Sequence, residues 1–212
     1  MTLQERKISA NVKDIDLVKQ KREEIIRAAS KVFIEKGFHQ ATIRDICKAS
    51  GFGPGKLYNY IKKKEDILYL VYNKLTMMLT ECLVGAINNA EKDPSAQFKE
   101  ALTKTIDVIW DYQDLILLMY QETASLDKES MHNILKRESD FVGLFRKILE
   151  RDKKKRVVKN KKNALEPDVI AYLLAFIPLR RWNLRQRFNE NEIKRGLINF
   201  ILSALGMNTA CY

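Results

Sequence analysis

The sequence predicts an all-α protein, and three observations carry that expectation. Among 212 residues there are only 8 Gly and 4 Pro, too few for a β fold with many tight turns. Helix formers dominate the remainder. Apolar residues recur at helical spacing along most of the chain. Hydrophobic residues make up 46%, an ordinary globular share that argues against wholesale disorder. The start, Met1-Thr-Leu-Gln-Glu-Arg-Lys7, has no apolar signal region. The longest uninterrupted apolar run, Val169 to Leu179, has 11 residues, short of the roughly 20 that a spanning helix needs. Cys47, Cys82 and Cys211 form neither a disulfide framework nor a CxxC pair, and read as small buried side chains of a reduced protein. No membrane association and a cytoplasmic location are therefore expected.

Residues 1–20 are polar with weak periodicity, a tail or a helical extension. From Lys21, the spacing of Ile25, Ala29, Val32 and Phe33 marks one face of a first helix, and Gly37 is its natural stop. Thr42 followed by Asp45 is a short capping box for a second helix that buries Ile46 and Cys47 and ends at Gly51. Gly53-Pro54 opens a third, with Leu57 and Ile61 as its buried stripe. A fourth begins near Lys64 and runs through Ile67, Leu68, Val71, Leu75, Met78, Leu79 and Cys82, long enough to link two domains. Asp93-Pro94-Ser95 breaks the chain. Helical patterns follow at about 95–110, 112–124 and 128–152. Residues 151–162, eight of them basic, read as an exposed loop or a frayed helix end. Glu166-Pro167-Asp168 opens a penultimate helix that is apolar nearly all round, with a kink expected at Pro178. A last helix spans about 190–205.

The formal net charge of +11 is unevenly spread. Residues 1–65 hold 15 basic and 8 acidic side chains, residues 66–150 hold 9 and 14, and residues 151–212 hold 14 and 5. Solvated faces usually mix both signs, so the first basic block points to a polyanion, with simple solvation as the alternative.

Three short helices with a glycine-centred turn between the second and third make a helix-turn-helix, which lays its later helix in the DNA major groove. Lys56, Tyr58, Asn59 and Tyr60 crowd the third helix, and Lys62, Lys63 and Lys64 follow. Tyrosine donates to phosphate oxygens, asparagine pairs bidentately with adenine, and lysine reaches guanine or phosphate. Core packing is the competing reading of Tyr58 and Tyr60, and solvation that of the lysines. Lys64 sits in the first turn of its helix, where the dipole disfavours a cation, so a phosphate neighbour would explain it.

Over Arg22 to Leu70 the chain resembles the tetracycline-repressor (TetR) family of bacterial transcriptional regulators. The resemblance rests on Ile25-Ile-Arg-Ala-Ala29, Val32-Phe33, Glu35-Lys-Gly37-Phe38, Ala41-Thr-Ile-Arg-Asp-Ile46, Ala49-Ser-Gly51, Gly55-Lys-Leu-Tyr-Asn-Tyr60 and Lys64-Glu-Asp-Ile-Leu68. It implies backbone contacts from Thr42, Tyr58, Tyr60 and Lys64, and base reading by Arg44, Gly55, Lys56 and Asn59. Gly53 stands where the family usually has Ser, so the third helix lacks a side-chain cap, and Lys63 replaces a capping Ser or Asn before the fourth. The implied organisation is a tail at 1–20, a helix-turn-helix DNA-binding domain at 21–67 and a larger helical ligand-binding and dimerisation domain at 68–212. The implied partners are a palindromic double-stranded DNA operator, a small-molecule effector and a second copy, joined through the last two helices. A penultimate helix that is apolar all round agrees with such a homodimer, although a monomeric core helix would show the same pattern.

Candidate effector-contacting residues are Trp110, Met119, Tyr120, Phe141, Phe145, Tyr172, Phe176 and Trp182, each of which also suits an ordinary core. Arg181 and Arg185, with Arg180 and Arg187, surround Trp182. They form either a solvated face or a seat for an anion, since guanidinium forks suit phosphate and carboxylate. An apolar cavity rimmed by arginines fits a fatty acid or an acyl-coenzyme A, and members of the family with a similar pattern respond to such thioesters. Lipophilic or aromatic efflux substrates are the alternative effector class. A non-specific nucleic-acid-binding protein is the alternative function. An enzyme is not expected. Only His39 and His132 are present, with no metal-ligand spacing, phosphate loop or nucleophile motif. No catalytic residues, metal or cofactor are expected either.

Overall fold

The computed structural model describes residue 8 and residues 10–87, 93–155 and 165–207. Among these, every regular element is helical: α1 Ile15–Lys36, α2 Ile43–Ser50, α3 Pro54–Leu57, α4 Lys64–Ile87, α5 Pro94–Asp111, α6 Gln113–Glu122, a 3₁₀ turn Thr123–Ser125, α7 Lys128–Lys155, α8 Glu166–Arg185 and α9 Glu190–Ala204. The chain divides into two compact units. One comprises Met1–Leu75 and Leu117–Arg137, and the other Thr76–Ile116 and Glu138–Tyr212.

In the first unit, α1 packs on α2 and α2 on α3. Each boundary has a local cause. Asp14 caps α1 by accepting from the Leu17 amide at 3.0 Å. Gly37 and Gly51 end α1 and α2 at φ +77° and +72°, backbone that a side chain would strain. Gly53 precedes α3 without a side-chain cap, and Pro54 supplies the preset φ instead. The predicted stripe residues Ile25, Ala29, Val32, Phe33, Ile46, Leu57 and Ile61 are all buried. Phe33 meets Phe38 edge to face at 5.3 Å. The third helix is shorter than expected. Only Pro54–Leu57 is α-helical, and residues 58–60 follow as turns.

From Lys64 to Gly85, α4 is long and apolar enough to cross a membrane, with a mean hydropathy of 1.3, although no uninterrupted apolar run there is long. Its first turns instead bury Ile67, Leu68, Tyr69, Val71, Tyr72 and Leu75, the pattern of a core helix. The expected tail is also partly structured. Ile8 is buried and α1 starts at Ile15.

In the second unit, α5 packs against α8 and α9, and α8 against α9. Phe98, Phe141 and Phe145 form an edge-to-face aromatic cluster in its core, with ring centres 5.2–6.1 Å apart. α8 runs through the buried Pro178 as one helix. Proline removes one backbone donor there, and packing on α5 and α9 carries the loss. Asn189 and Glu192 cap α9 reciprocally, a capping box not anticipated above. The side chains of the basic stretch 151–162 lie outside the described residues.

α8 is not covered on all sides by its own unit. Val169, Tyr172 and Phe176 remain 50%, 67% and 40% exposed on it, and Phe200 on α9 remains 61% exposed. Between the two helices runs an apolar groove of about 470 Å³, lined among others by Leu173, Phe176, Phe188, Leu197 and Phe200.

Candidate nucleic-acid interface

The reading turn is built on two locks. The first is at the start of α2. The Asp45 amide donates to Thr42 Oγ1 at 3.1 Å, and the Thr42 amide donates to Asp45 Oδ2 at 2.9 Å. Thr42 Oγ1 also donates to Asp45 Oδ2 at 2.7 Å, and Lys36 Nζ donates to Asp45 Oδ1 at 2.6 Å. The bonds from Lys36 and then Thr42 hold the Asp45 carboxyl well below the usual carboxylate range.

The second lock lies behind the turn that follows α3. Arg22 donates from Nε and Nη2 to the Tyr60 carbonyl at 3.1 and 3.0 Å, and from Nη2 to the Ile8 carbonyl at 2.6 Å. Burial lowers the Arg22 pKa, and the nearby Asp66 charge opposes that shift. The buried Asp66 accepts from the Lys62 and Lys63 amides at 2.9 and 3.1 Å, and so caps α4 from inside its first turn. This carboxylate does the work that Lys63 cannot.

On this scaffold Thr42, Arg44, Gly55 and Lys56 are exposed, Tyr58 is 46% exposed and Asn59 half-buried. Lys56 Nζ stands 5.1 Å from the centre of the Phe52 ring, which positions its stem. Lys48, Lys62 and Lys63 are exposed as well.

Two predicted contact residues sit differently. Tyr60 is 5% exposed and its ring meets Phe52 edge to face at 6.1 Å, so the core reading holds for Tyr60 and the surface reading for Tyr58. Lys64 Nζ donates to the carbonyls of Phe38, His39 and Ala41 at 2.8, 3.3 and 2.9 Å and lies 4.4 Å from the Phe38 ring centre. An ammonium has three donors, and three carbonyls take them. They compensate the helix dipole in the way the sequence argument assigned to a phosphate. Lys64 thus ties the turn between α1 and α2 to the start of α4.

His39, in that same turn, has Nε2 3.0 Å from Glu122 Oε2, and Lys63 pairs with Asp127 at 2.9 Å. Tyr72 Oη donates to the Leu118 carbonyl at 3.1 Å, and burial raises the Tyr72 pKa, with the Glu122 charge adding to it. The segment 117–137 is thereby fastened to the helix-turn-helix unit.

The candidate effector residues are divided between the two units and between core and surface. Met119 and the exposed Tyr120 belong to the first unit. Phe141 and Phe145 are closed core. Tyr172 and Trp182 face outward from α8, and Phe176 lines the groove. Trp110 is the exception, half-buried with Arg185 and Lys194 at 5.3 and 5.5 Å from its ring centre. Beside it, Arg181 covers the Trp182 ring at 4.3 Å and pairs with Asp114. Among the described residues, no group of three His, Cys, Asp or Glu could hold a metal ion.

Arg22, Asp66 and Ile8 were not legible as site residues. Arg22 meets a carbonyl 38 residues away, a separation that helical spacing cannot encode.

Residues 25–69 match the family profile of bacterial regulatory proteins, tetR family, and residues 91–177 that of the tetracyclin repressor-like C-terminal domain. The chain is 29% identical over 130 residues to the HTH-type transcriptional regulator HbdR of Aromatoleum sp. (strain CIB), covering 56% of this chain and 52% of that protein. It is 42% identical over 60 residues to the fatty acid metabolism regulator protein of Bacillus subtilis (strain 168), covering 27% and 31%. It thus spans about half the length, or less, of these curated relatives. Its fold matches that of the transcriptional regulator FadR from Bacillus subtilis in complex with stearoyl-CoA, with a TM-score of 0.70, 20% identity and coverage of 85% and 97%. Two family profiles, a locked helix-turn-helix and a second all-helical unit agree: the chain belongs to the TetR family, whose members are DNA-binding regulators and not enzymes.

Proposed function

We propose that this chain is a ligand-responsive repressor that binds a palindromic operator as a homodimer in the cytoplasm. The observation that carries the reading is the turn at 55–59. The backbone directly after it is held by Arg22 at the Tyr60 carbonyl and by Asp66 at the Lys62 and Lys63 amides, while Lys56 and Tyr58, and Arg44 of α2, are exposed and Asn59 is half-buried. Rigid backbone with exposed donors is what a DNA-reading element needs. Arg44, Gly55, Lys56 and Asn59 read base edges in this account, and Thr42 and Tyr58 contact phosphates. Lys64 and Tyr60 act through the turn they hold.

The homodimer reading is supported by the uncovered apolar face of α8 and α9. A C2 pairing of that face would bury Tyr172, Phe176 and Phe200 twice over. The domain division at 21–67 and 68–212 is kept in functional terms, with DNA read by the first part and effector and partner held by the second.

For the effector, the reading is an acyl-coenzyme A or a fatty acid. It is supported by the likeness to the fatty acid metabolism regulator protein of Bacillus subtilis and to FadR in complex with stearoyl-CoA, and by Arg185 over Trp110 and Arg181 over Trp182. The ligand must prefer the DNA-incompetent state to release the operator. Genomic DNA fragments selected by the purified protein, then titrated with stearoyl-coenzyme A, test both parts. Retained duplex released by the thioester supports the reading. Release by a lipophilic cation and not by the thioester overturns the effector class, and failure to select any sequence overturns the repressor.

A further inference from the structure

The helix that carries the reading residues is too short to hold its own shape. α3 has four residues, and a helical nucleus of that length is unfavourable by itself. Its closing amides are used within the turn. Tyr58 donates to the Pro54 carbonyl at 3.1 Å, Asn59 to the Lys56 carbonyl at 3.3 Å and Tyr60 to the Leu57 carbonyl at 3.0 Å. Residues 61–63 are not helical, so the carbonyls of Asn59 and Tyr60 have no following helical turn to supply their donors.

Both carbonyls are satisfied from elsewhere in the unit. The Asn59 carbonyl accepts from the Asn11 amide at 2.9 Å. The Tyr60 carbonyl accepts from Arg22, whose Nη2 also donates to the Ile8 carbonyl at 2.6 Å. Ile8 is buried and Asp14 caps α1, so Asn11 lies between two fixed points. Ile8 and Asn11 precede residues 25–69, the stretch that matches the family profile, so this brace lies outside the matched module.

The residue braced in this way is the one whose side chain has least freedom to correct an error. Asparagine pairs with adenine through two bonds at once, and a hydrogen bond weakens steeply as its angle departs from linear. A lysine can compensate a displaced backbone with its long flexible stem, and the short Asn59 side chain cannot. We infer that the Asn11 amide is a positioning group for base reading, which fixes the Asn59 carbonyl and thereby aims the Asn59 side chain at its base. This rests on the DNA-binding reading above and extends it to a residue outside the helix-turn-helix. Asn11 sets operator preference through Asn59 and not through a DNA contact of its own.

Two variants of the full chain separate the amide from the side chain. Asn11→Pro removes the donor, and Asn11→Ala keeps it. Each is compared with the unaltered chain and with Asn59→Ala by fluorescence anisotropy, on a selected operator and on duplexes that each carry one base change. Asn11→Pro should lower discrimination about tenfold at the base pair that Asn59→Ala affects, and at no other. Combined with Asn59→Ala it should cost little more, because both changes act on one interaction. The slope of log K against log salt should not move, since no phosphate contact is lost. Asn11→Ala should keep the preference of the unaltered chain.

Full discrimination by Asn11→Pro, or a loss that adds to that of Asn59→Ala, overturns the positioning role. An equal loss in Asn11→Ala, or a reduced salt slope, assigns the effect to a contact of the Asn11 side chain and overturns it as well. A uniform loss on every duplex with a lowered melting temperature reduces the brace to a structural one, which also overturns the proposal. Each of these outcomes leaves the DNA-binding reading intact. Equal binding of every duplex by the unaltered chain overturns both.

Discussion

The reading turn and the α8–α9 face are both surfaces that the chain leaves uncovered, and they are uncovered in opposite ways. At the turn, polar side chains stand out beside a backbone held at the Tyr60 carbonyl by Arg22 and at the Lys62 and Lys63 amides by Asp66. On α8 and α9, the backbone is plain helix and the side chains are the anomaly, with Tyr172, Phe176 and Phe200 in water. The first surface suits a charged, hydrated partner that is read by hydrogen bonds. The second suits an apolar partner that excludes water, and a second copy offers a matching patch. The difference teaches that charge excess alone does not locate a binding face. The preorganised backbone does so in the first unit and uncovered apolar area in the second.

The comparison breaks most readily at the apolar face. Phe176→Glu with Phe200→Glu should convert a dimer to a monomer. Each ring is present twice in a C2 pairing, so the loss per ring is about 3–6 kcal/mol. Sedimentation velocity reads it, with helicity unchanged because both side chains are already exposed. A dimer that survives would place the contact elsewhere.

In the first unit, Lys64→Met removes the donor from three carbonyls. Stability should fall by about 2 kcal/mol in thermal denaturation, while the salt slope of DNA binding stays where it was. A slope reduced by about 2 with no change in melting would return Lys64 to the phosphates.

Tyr58 and Tyr60 sharpen the same contrast. Tyr58→Phe should weaken DNA binding about tenfold through lost phosphate hydrogen bonds, and Tyr60→Phe less than about twofold. Equal losses in a gel shift would erase the distinction between an exposed and a buried tyrosine.

The smallest effect concerns Asp45. Its carboxyl titrates far lower in the folded chain than in the unfolded one. The capping box therefore stabilises above about pH 4 and fades only as pH falls toward the depressed folded value. Asp45→Asn should melt below the parent at neutral pH, and the two curves should converge in strong acid.

Much of the first unit was legible because its signals are local. Gly37, the Thr42–Asp45 pair, Gly51 and Pro54 act within four residues of where they stand, and helical spacing named the buried stripe. What escaped was long-range. The tail reaches Asn59 from Asn11, Arg22 reaches Tyr60, and Lys64 reaches back to Phe38, so no periodicity records them. Lys64 shows the hazard well. Its unfavourable place in the helix dipole was read correctly from sequence, yet the compensating partner was the protein's own backbone. In the second unit, spacing marks aromatic residues as inward but does not distinguish a closed cluster such as Phe98, Phe141 and Phe145 from a cavity wall. It also left open which residues of α8 its own unit would fail to cover.

The central claim is that the locked turn reads sequence. It is tested most directly by titrating the full chain against a selected operator and a scrambled duplex at one salt concentration, with Lys56→Ala alongside. The account predicts a preference of about 10³ or more for the operator, and a variant that loses mainly that preference. Equal affinity of the unaltered chain for both duplexes would contradict it.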